Sequence, residues 1–598
     1  MRVYTIGMGL RGLVILFALA RAAGLAQTVC GPTLTYSPCD IMFEMTEAEA
    51  QAHPNPYLTI ELHGEFRSPS HRTYLMPAFW NGARTLVIRV APTEPGAWDF
   101  RLTSNIERFN AKMGSFTATP SNSPGFVKTA NVHHFAYTEG HQPHLWMGDA
   151  CDRFAFLPVE AFQKFVDARA GQKFNHLRGI VIGRPEDAAT IWHTPDQPDP
   201  AYFRRVDECI RYMNQKGITA DLVLAGGHND LTKLFPTWQQ RERYVRYLVS
   251  RYSAMNITWQ GVEDFEDYEN GRELLKEIGL LLKKEDPYQH LRSAQTRATS
   301  SPLLDDGWMD YITTGSPADE VGAIEHQLYP VPFVHARTSK NDRDASRRLL
   351  WNHTMNGEYV TYGNCDDLDS AAAKQMAAWF NFISGTRHWE LEPYFDVDGG
   401  RALALEDVEY IVYVEKPSGP VEVLVEKHGY DVAWLNPITG ESIKQKDFKG
   451  EKFIGTPPDN SHDWVLHISR EGRKESMLRS YKFESRPIVL QEIELNPQKV
   501  PFEIEQPAAD TVSQTKPPSY GAKLKRETHA TRTMMYLWTG EVAADNQGYR
   551  VLGTGAKGTF QIPGNIAKHY PAVLHLHVAG MNANGKVYTA DRTYQLTK

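Results

Sequence analysis

The sequence lacks the features that identify several large classes of protein. Its 598 residues include only five cysteines, and no Cys/His spacing resembles a zinc site. There is no glycine-rich phosphate loop, no Gly-x-Ser-x-Gly element and no repeat of solenoid period. The formal net charge of -8 argues against a nucleic-acid or anionic-membrane partner. The sequence therefore predicts neither a metal nor a cofactor, and it leaves the oligomeric state open.

Long hydrophobic runs are also scarce, and the clearest one is N-terminal. Arg2 and Arg11 precede the apolar stretch 12–20, and the small residues Gly24 and Ala26 follow it at the spacing of a cleavage site. This pattern predicts a signal peptide over residues 1–26 and a secreted or periplasmic protein without stable membrane insertion. The alternative is an uncleaved anchor, for which the stretch is short.

The five cysteines divide into one close pair and three isolated residues. Cys30 and Cys39 bracket a short loop, which predicts a disulfide in an oxidising compartment. Cys151, Cys209 and Cys365 stand alone and are typical of packing thiols.

What the chain does contain is a change of pattern along its length. Period-two alternation at both ends predicts β-sheets, and eight strands alternating mostly with helices predict a (β/α)8 barrel between them. The predicted fold is therefore multidomain, a TIM barrel flanked by N-terminal and C-terminal β-sandwich domains. The predicted domains are an Ig-like β-sandwich at 28–130, the barrel at 135–395, a second β-sandwich at 396–475, a linker or irregular connection at 476–530, and a C-terminal β-module at 531–598.

The most informative segment lies in the predicted barrel at residues 257–268. It begins as an apolar β-strand and ends in four acids, Glu263, Asp264, Glu266 and Asp267. In a (β/α)8 barrel the chemistry lies at the C-terminal ends of the strands. Carboxylates there indicate general acid/base catalysis, of which glycoside hydrolysis is the clearest example. The alternative is a solvated acidic loop between a strand and a helix.

Polar side chains near the other predicted strands suggest a bowl that binds carbohydrate. A single Asp or His among them, taken alone, is more often a helix cap or a satisfied buried group. The predicted substrate-binding residues are Asp149, Asn175, Arg178, His228, Asn229, His326, Tyr329, Arg337, Trp389 and Glu390.

Three stretches carry a resemblance to secreted bacterial apiosidase-like glycoside hydrolases. Residues 80–98 resemble the N-terminal β-sandwich of these enzymes, and residues 141–149 resemble the opening strand of their barrel. Residues 431–441 resemble a C-terminal module of collagen-binding type, a label that names a module and implies no collagen binding here. The resemblance implies an enzyme that cleaves O-glycosyl bonds in a plant or bacterial polysaccharide or oligosaccharide.

In the clan that this resemblance points to, the fourth strand ends with the general acid/base, five residues after a tryptophan. Counting from Trp259 gives Asp264 as the proton donor, with Glu263 beside it. Two adjacent acids would help to raise the pKa of one of them, as a proton donor at neutral pH requires.

The seventh strand departs from the pattern of the resembled clan. Relatives end it with a nucleophilic glutamate, whereas Arg337 stands there in this chain. Arginine stays protonated and cannot act as a nucleophile. Glu325 is therefore predicted as the second catalytic carboxylate, with Glu358 and Glu390 as alternatives. An inverting geometry, or a degenerate barrel that binds glycans without hydrolysing them, remains a further alternative.

Overall fold

The computed structural model describes residues 27–28, 30–140, 142–183, 187, 191–336, 343–363, 365–470, 496, 498–513, 516–542, 548–562 and 571–597. The predicted signal peptide, Arg337 and the first part of the predicted linker lie outside the described residues. Within them, no helix is both long enough and apolar enough to cross a bilayer.

The N-terminal region consists of two β-sheets packed face to face. Strand Leu62–Arg67 alternates buried and exposed side chains, so that one face of its sheet packs on the core. Cys30 and Cys39 form the predicted disulfide, with their Cα atoms 6.0 Å apart. The strands are Gln27–Thr28, Cys39–Glu44, Thr85–Val90 and Phe79–Trp80 in one sheet, and Thr33–Leu34, Met113–Thr119, Gly96–Ser104, Leu62–Arg67 and Thr73–Pro77 in the other. Two short helices, Glu47–Ala52 and Pro56–Thr59, connect them.

The central region is a nearly closed barrel of eight parallel strands. The sheet order places the first strand between the second and the eighth, as a (β/α)8 barrel requires. At the seam between the fifth and sixth strands, the Ser293 hydroxyl donates to the Tyr311 carbonyl at 2.8 Å. The strands are β1 (Met147–Ala150), β2 (His176–Ile180), β3 (Thr219–Ala225), β4 (Ile257–Val262), β5 (Arg292–Ser293), β6 (Ile312–Thr314), β7 (Phe333–His335) and β8 (Glu358–Thr361).

Among the described residues, seven α-helices of ten or more residues cover the outside of this barrel. They begin where the sequence supplies caps: the Thr237 hydroxyl accepts from the Gln240 N–H, and Asp199 caps a helix that has Pro200 at its first position. Between β5 and β6 the described chain forms a 3₁₀ helix, Ser301–Asp306. The helices are α1 (Val159–Gly171), α2 (Pro200–Gln215), α3 (Trp238–Tyr252), α4 (Gly271–Glu285), α5 (Asp319–Leu328), α6 (Arg343–Met355) and α7 (Ala371–Ile383).

A small antiparallel sheet closes the N-terminal end of the barrel. Its strands are Val127–Ala130, His134–Tyr137 and Pro143–His144. The ring of Phe135 packs against aromatic rings at the starts of β1, β6 and β8. The C-terminal mouth, where the strands end, is therefore the end at which polar groups can meet a ligand.

The C-terminal region contains further sheets. The first holds strands Glu392–Tyr394, Val397–Asp398, Arg401–Leu405, Glu409–Val414, Val421–Leu435, Ser442–Lys444, Phe448–Gly455 and Trp464–Arg470. The last module holds strands Phe502–Gln506, Thr511–Ser513, Ser519–Leu524, Met535–Val542, Arg550–Thr554, Lys557–Thr559, Ala572–Met581 and Val587–Thr597. Its apolar face packs on the barrel through α5.

The predicted linker at 476–530 needs correction in its second half. Three strands that begin at Phe502 belong to the last module. The prolines and the Lys/Thr-rich composition of this stretch concealed its β-pattern, because only some of its residues face the core.

Candidate active site at the barrel mouth

An arginine at the mouth joins two carboxylates that follow different barrel strands. Arg178, on β2, is almost fully buried. Its Nη2 lies 2.5 Å from Glu263 Oε1, just after β4, and its Nη1 lies 3.3 Å from Asp152 Oδ1, just after β1. Burial opposes the charge, but the two carboxylates outweigh it and raise the pKa of Arg178 above its ordinary value. The guanidinium therefore remains charged and fixes both acids.

The bridge also limits how far apart these two acids can be. Because they contact the two terminal nitrogens of one guanidinium, the nearest oxygens of Asp152 and Glu263 lie no more than about 8 Å apart, a limit that includes both the retaining and the inverting separation of glycosidase carboxylates. Asp152 is the more accessible of the two, with 30% of its side chain exposed against 12% for Glu263. Asp152 is not among the site residues that the sequence predicted.

Asp264 lies on the rim beside this bridge. Its backbone is in the left-handed region, at φ 45° and ψ 57°, and its N–H donates to the Gln295 carbonyl beyond β5 at 3.1 Å. This bond ties the ends of two barrel strands together. The side chain is one-third exposed, and its Oδ2 lies 4.0 Å from Arg297 Nε. Asp264 thus combines access to the mouth with a fixed backbone.

The carboxyl group of Glu266, two residues further on, has a raised pKa. Burial is the main cause, and with the nearby charge of Asp264 it raises the pKa of Glu266 to about 7, although the Arg297 N–H donates to its carboxylate. Arg550 of the last module is near enough to act in the opposite direction. An acid that titrates near neutrality in a cleft is typical of a functional site.

The loop after β3 supports this acidic segment. Asn229 accepts from the Glu269 N–H at 2.9 Å and donates to the Asp267 carbonyl at 3.1 Å. The His228 side chain is 79% exposed, and its Nδ1 lies 3.3 Å from Asp267 Oδ2. Of the predicted binding residues, Arg178, His228 and Asn229 therefore lie at the mouth, with Asn229 holding the loop.

Two other predicted binding residues are part of the barrel wall. Asp149 is fully buried, and its Oδ2 accepts from Arg169 Nε at 2.6 Å. Asn175 precedes β2 and bridges the backbone at Leu145 and Met147, at the closed end of the barrel. Both side chains stabilise strand β1, and a substrate-binding role stays a prediction for each.

A further group of predicted residues lies at the closed end. Trp389 is buried, and its carbonyl accepts from Asn131 next to the closing sheet. Glu390 forms an ion pair with Arg387 in the same turn. His326 and Tyr329 lie at the C-terminal end of α5, which is directed towards the same end. These four residues surround the small sheet that plugs the barrel.

The acids predicted to supply the second carboxylate are held among the outer layers. Glu325, on α5, is buried, and its oxygens accept from Thr299 at 2.5 Å and Ser301 at 2.8 Å. Burial raises the pKa of Glu325 to about 7. Glu358, at the start of β8, accepts from Thr314 at 2.6 Å and contacts His353 on α6. A catalytic role stays a prediction for each residue. Their hydrogen bonds give both carboxylates a part in the packing around the barrel.

Comparisons with known proteins agree with this geometry. A family model described as "Apiosidase-like, catalytic domain" matches residues 129–385, and one described as "Domain of unknown function (DUF5060)" matches residues 33–105. No curated protein matches the chain.

Solved structures show the same fold at low identity. A candidate glycoside hydrolase from Bacteroides vulgatus is 17% identical, with a TM-score of 0.64 over 74% of this chain and 100% of that one. A family 5 glycoside hydrolase from the same organism is 15% identical, with a TM-score of 0.51 over 58% and 93% of the two chains. A third structure, described as a glycoside hydrolase, is also 15% identical, with a TM-score of 0.50 over 58% and 97%. These neighbours show that the chain shares the fold of these glycoside hydrolase structures.

Proposed function

We propose that this chain is an exported glycoside hydrolase that cleaves O-glycosyl bonds in a polysaccharide or oligosaccharide. The observation that carries the proposal is the set of acids around Arg178 at the open end of an eight-stranded barrel. The apiosidase-like match over residues 129–385 supports the reaction class. The N-terminal apolar pattern and the Cys30–Cys39 disulfide support export.

The proposed mechanism uses two carboxylates from different strands. Asp264 donates a proton to the glycosidic oxygen, so that the C–O bond breaks with a neutral leaving group. Asp152 supplies the second carboxylate, either by attacking the anomeric carbon or by taking a proton from the attacking water. Arg178 holds Asp152 and Glu263 in place on the side of the mouth where Asp264 follows Glu263 in the chain.

A second candidate function is glycan binding without hydrolysis. Its motivation is Arg337, which stands where the resembled enzymes have their nucleophile. A barrel that kept its sugar contacts but lost the catalytic pair would bind an oligosaccharide and release no product. Both functions predict a carbohydrate partner, so that only turnover separates them.

The experiment is a screen of the purified chain on plant and bacterial polysaccharides, with products separated by chromatography. With an active substrate, Asp264→Asn and Asp152→Asn should each lower kcat/KM by ~100-fold or more and leave the unfolding midpoint unchanged. Glu269→Gln, an exposed acid of the same loop, is the matched control and should keep full activity. NMR of the first product formed would then distinguish retention from inversion.

The outcomes separate the two functions. Activity that survives Asp152→Asn would remove Asp152 as the second carboxylate while leaving the hydrolase proposal in place. Oligosaccharide binding without product on every substrate would favour the glycan-binding alternative.

A further inference from the structure

Far from the mouth, three histidines and a glutamate converge beneath the closed end of the barrel. His133 and His134 come from the closing sheet, His326 from α5, and Glu392 from the first strand of the C-terminal region. His133 Nδ1 lies 3.0 Å from Glu392 Oε2, and His326 Nε2 lies 3.6 Å from the same oxygen. One ligand atom from each of these three residues lies within 4.8 Å of the other two.

The hydrogen bonds of His133 fix its tautomer. Its Nε2 lies 3.1 Å from the Tyr329 carbonyl oxygen, which can only accept, so that Nε2 carries the proton. In the neutral ring, the lone pair of Nδ1 then points at the carboxylate of Glu392. Two acceptors at 3.0 Å require a cation between them, either a proton on Nδ1 or a metal ion. A ring N–H donated to a backbone carbonyl is the usual arrangement of a metal-binding histidine.

His326 distinguishes these two cations. Its side chain is buried, and neither ring nitrogen has a hydrogen-bond partner among the described residues. A proton on His133 would satisfy Glu392 but leave His326 unsatisfied, at the cost of a buried polar group. A metal ion would satisfy both.

The remaining neighbours also suit a metal. His134 Nε2 lies 3.4 Å from Glu392 Oε1, the other oxygen, and its Nδ1 contacts the Tyr359 hydroxyl at 2.9 Å. The Glu392 side chain is 26% exposed, which leaves an ion a route from solvent.

We propose that His133, His326 and Glu392 bind one Zn²⁺ ion at the point where their ligand atoms converge. Imidazole nitrogen and carboxylate oxygen are ligands that Zn²⁺ favours, and Zn–N and Zn–O distances of ~2.0 to 2.2 Å place adjacent ligand atoms roughly 3.3 Å apart, close to the separations seen here. The ion would fasten the closing sheet, α5 and the C-terminal region to one point. Its role would be structural, because it lies at the opposite end of the barrel from Asp264.

A second cluster of the same composition lacks these signs. His335, His353 and Glu358 also bring their ligand atoms within 4.8 Å. There, both oxygens of Glu358 already accept hydrogen bonds, from the Thr314 hydroxyl at 2.6 Å and from the Asn356 amide at 3.0 Å. The Glu358 carboxylate is therefore satisfied without an ion, so the proposal is confined to the first cluster.

The test measures zinc in the full chain, purified through a histidine-free tag, loaded with Zn²⁺ and passed over a chelating resin. Plasma mass spectrometry should give about one zinc per chain in the native sequence and less than a tenth of that in His326→Ala and Glu392→Gln. His467→Gln is the matched control, because His467 forms a comparable contact with Glu409 at 2.7 Å in the adjoining sheet and should retain the zinc.

A stability readout accompanies the metal content, so that a folding defect is not mistaken for lost binding. Zn²⁺ should raise the Tm of the native chain by ~2 to 4 °C and leave that of Glu392→Gln unchanged, while circular dichroism shows both folded. Absence of retained zinc in the native chain would overturn the proposal. Equal zinc in the native chain and in both folded variants would overturn it as well.

Discussion

The buried pair Asp149–Arg169 offers a sharp test, because sequence and structure assign Asp149 different roles. The sequence places Asp149 at the end of a barrel strand and predicts that it binds substrate. In the structure neither side chain of the pair is exposed, and Arg169 also donates to the carbonyls of Asp367 and Leu368 beyond β8. The pair therefore joins β1, α1 and the chain that follows β8. We expect Asp149→Ala to act on stability.

The size of the effect follows from burial. Removing the carboxylate leaves a guanidinium of 0% exposure without its anion, and breaking one partner of such a pair costs about 3–5 kcal/mol. Replacing both charges with apolar groups of similar volume removes the uncompensated charge, so Asp149→Leu combined with Arg169→Met should recover most of the loss. The non-additivity of the double variant identifies the buried charge as the cause.

Urea unfolding at pH 7, followed by tryptophan fluorescence, measures this. With an m-value of about 3 kcal/mol/M, Asp149→Ala should lower the midpoint of the barrel transition by roughly 1 to 1.5 M, and the double variant should lie within about 0.5 M of the native chain. Asp149→Asn tests the same site with its shape preserved. An unchanged midpoint with a tenfold higher KM on an active substrate would refute the structural role and restore substrate binding.

Three further predictions concern other charges and cross-links. Arg178→Met should lower the free energy of unfolding by ~2–4 kcal/mol at pH 7, because it leaves two partly buried carboxylates without their cation. Urea unfolding measures this, and an unchanged midpoint would show that the bridge does not stabilise the barrel. Burial and Asp264 raise the pKa of Glu266 to about 7, so the folded chain holds that proton more tightly than the unfolded chain and loses stability as pH rises from about 4.5 to 7. Glu266→Gln should therefore gain ~2–3 kcal/mol over the native chain between pH 5 and pH 8, and a constant difference in Tm across that range would contradict the shift. Replacing Cys30 and Cys39 by serine should lower the free energy of unfolding of the N-terminal region by ~2–3 kcal/mol, since the disulfide closes a short loop. Calorimetry of the N-terminal transition measures this loss, and an unchanged Tm would contradict the prediction.

The order of the elements could be predicted from the sequence because it depends on local periodicity. All side chains of strands β3 and β4 are buried, which gives the continuous apolar runs typical of a parallel sheet inside helices. The turn chemistry and caps that bound the helices are also local. The acids after Trp259 could also be placed at the mouth, because the C-terminal ends of all the parallel strands of a (β/α)8 barrel lie at the same end of the barrel.

Tertiary structure decided which polar groups meet, because that depends on strand register and on the direction in which each side chain points. Asp149 and Asp152 lie three residues apart in the chain. Asp149 is buried and forms an ion pair with Arg169, whereas Asp152 is partly exposed and forms an ion pair with Arg178. Glu325 was predicted to be the second catalytic carboxylate because Arg337 stands where the resembled enzymes have a glutamate. In the structure, its position on α5 gives it Thr299 and Ser301 as hydrogen-bond partners.

The histidine cluster shows the same limit most clearly. A zinc site is recognised in a sequence by short spacings between its ligands, and His133, His326 and Glu392 are far apart in the chain. They come together only because the closing sheet, α5 and the first C-terminal strand pack at one end of the barrel. The sequence by itself determined the barrel and the position of its acidic rim, since these follow from local periodicity. The partners of each charged side chain followed from the packing of distant segments, which no local pattern records.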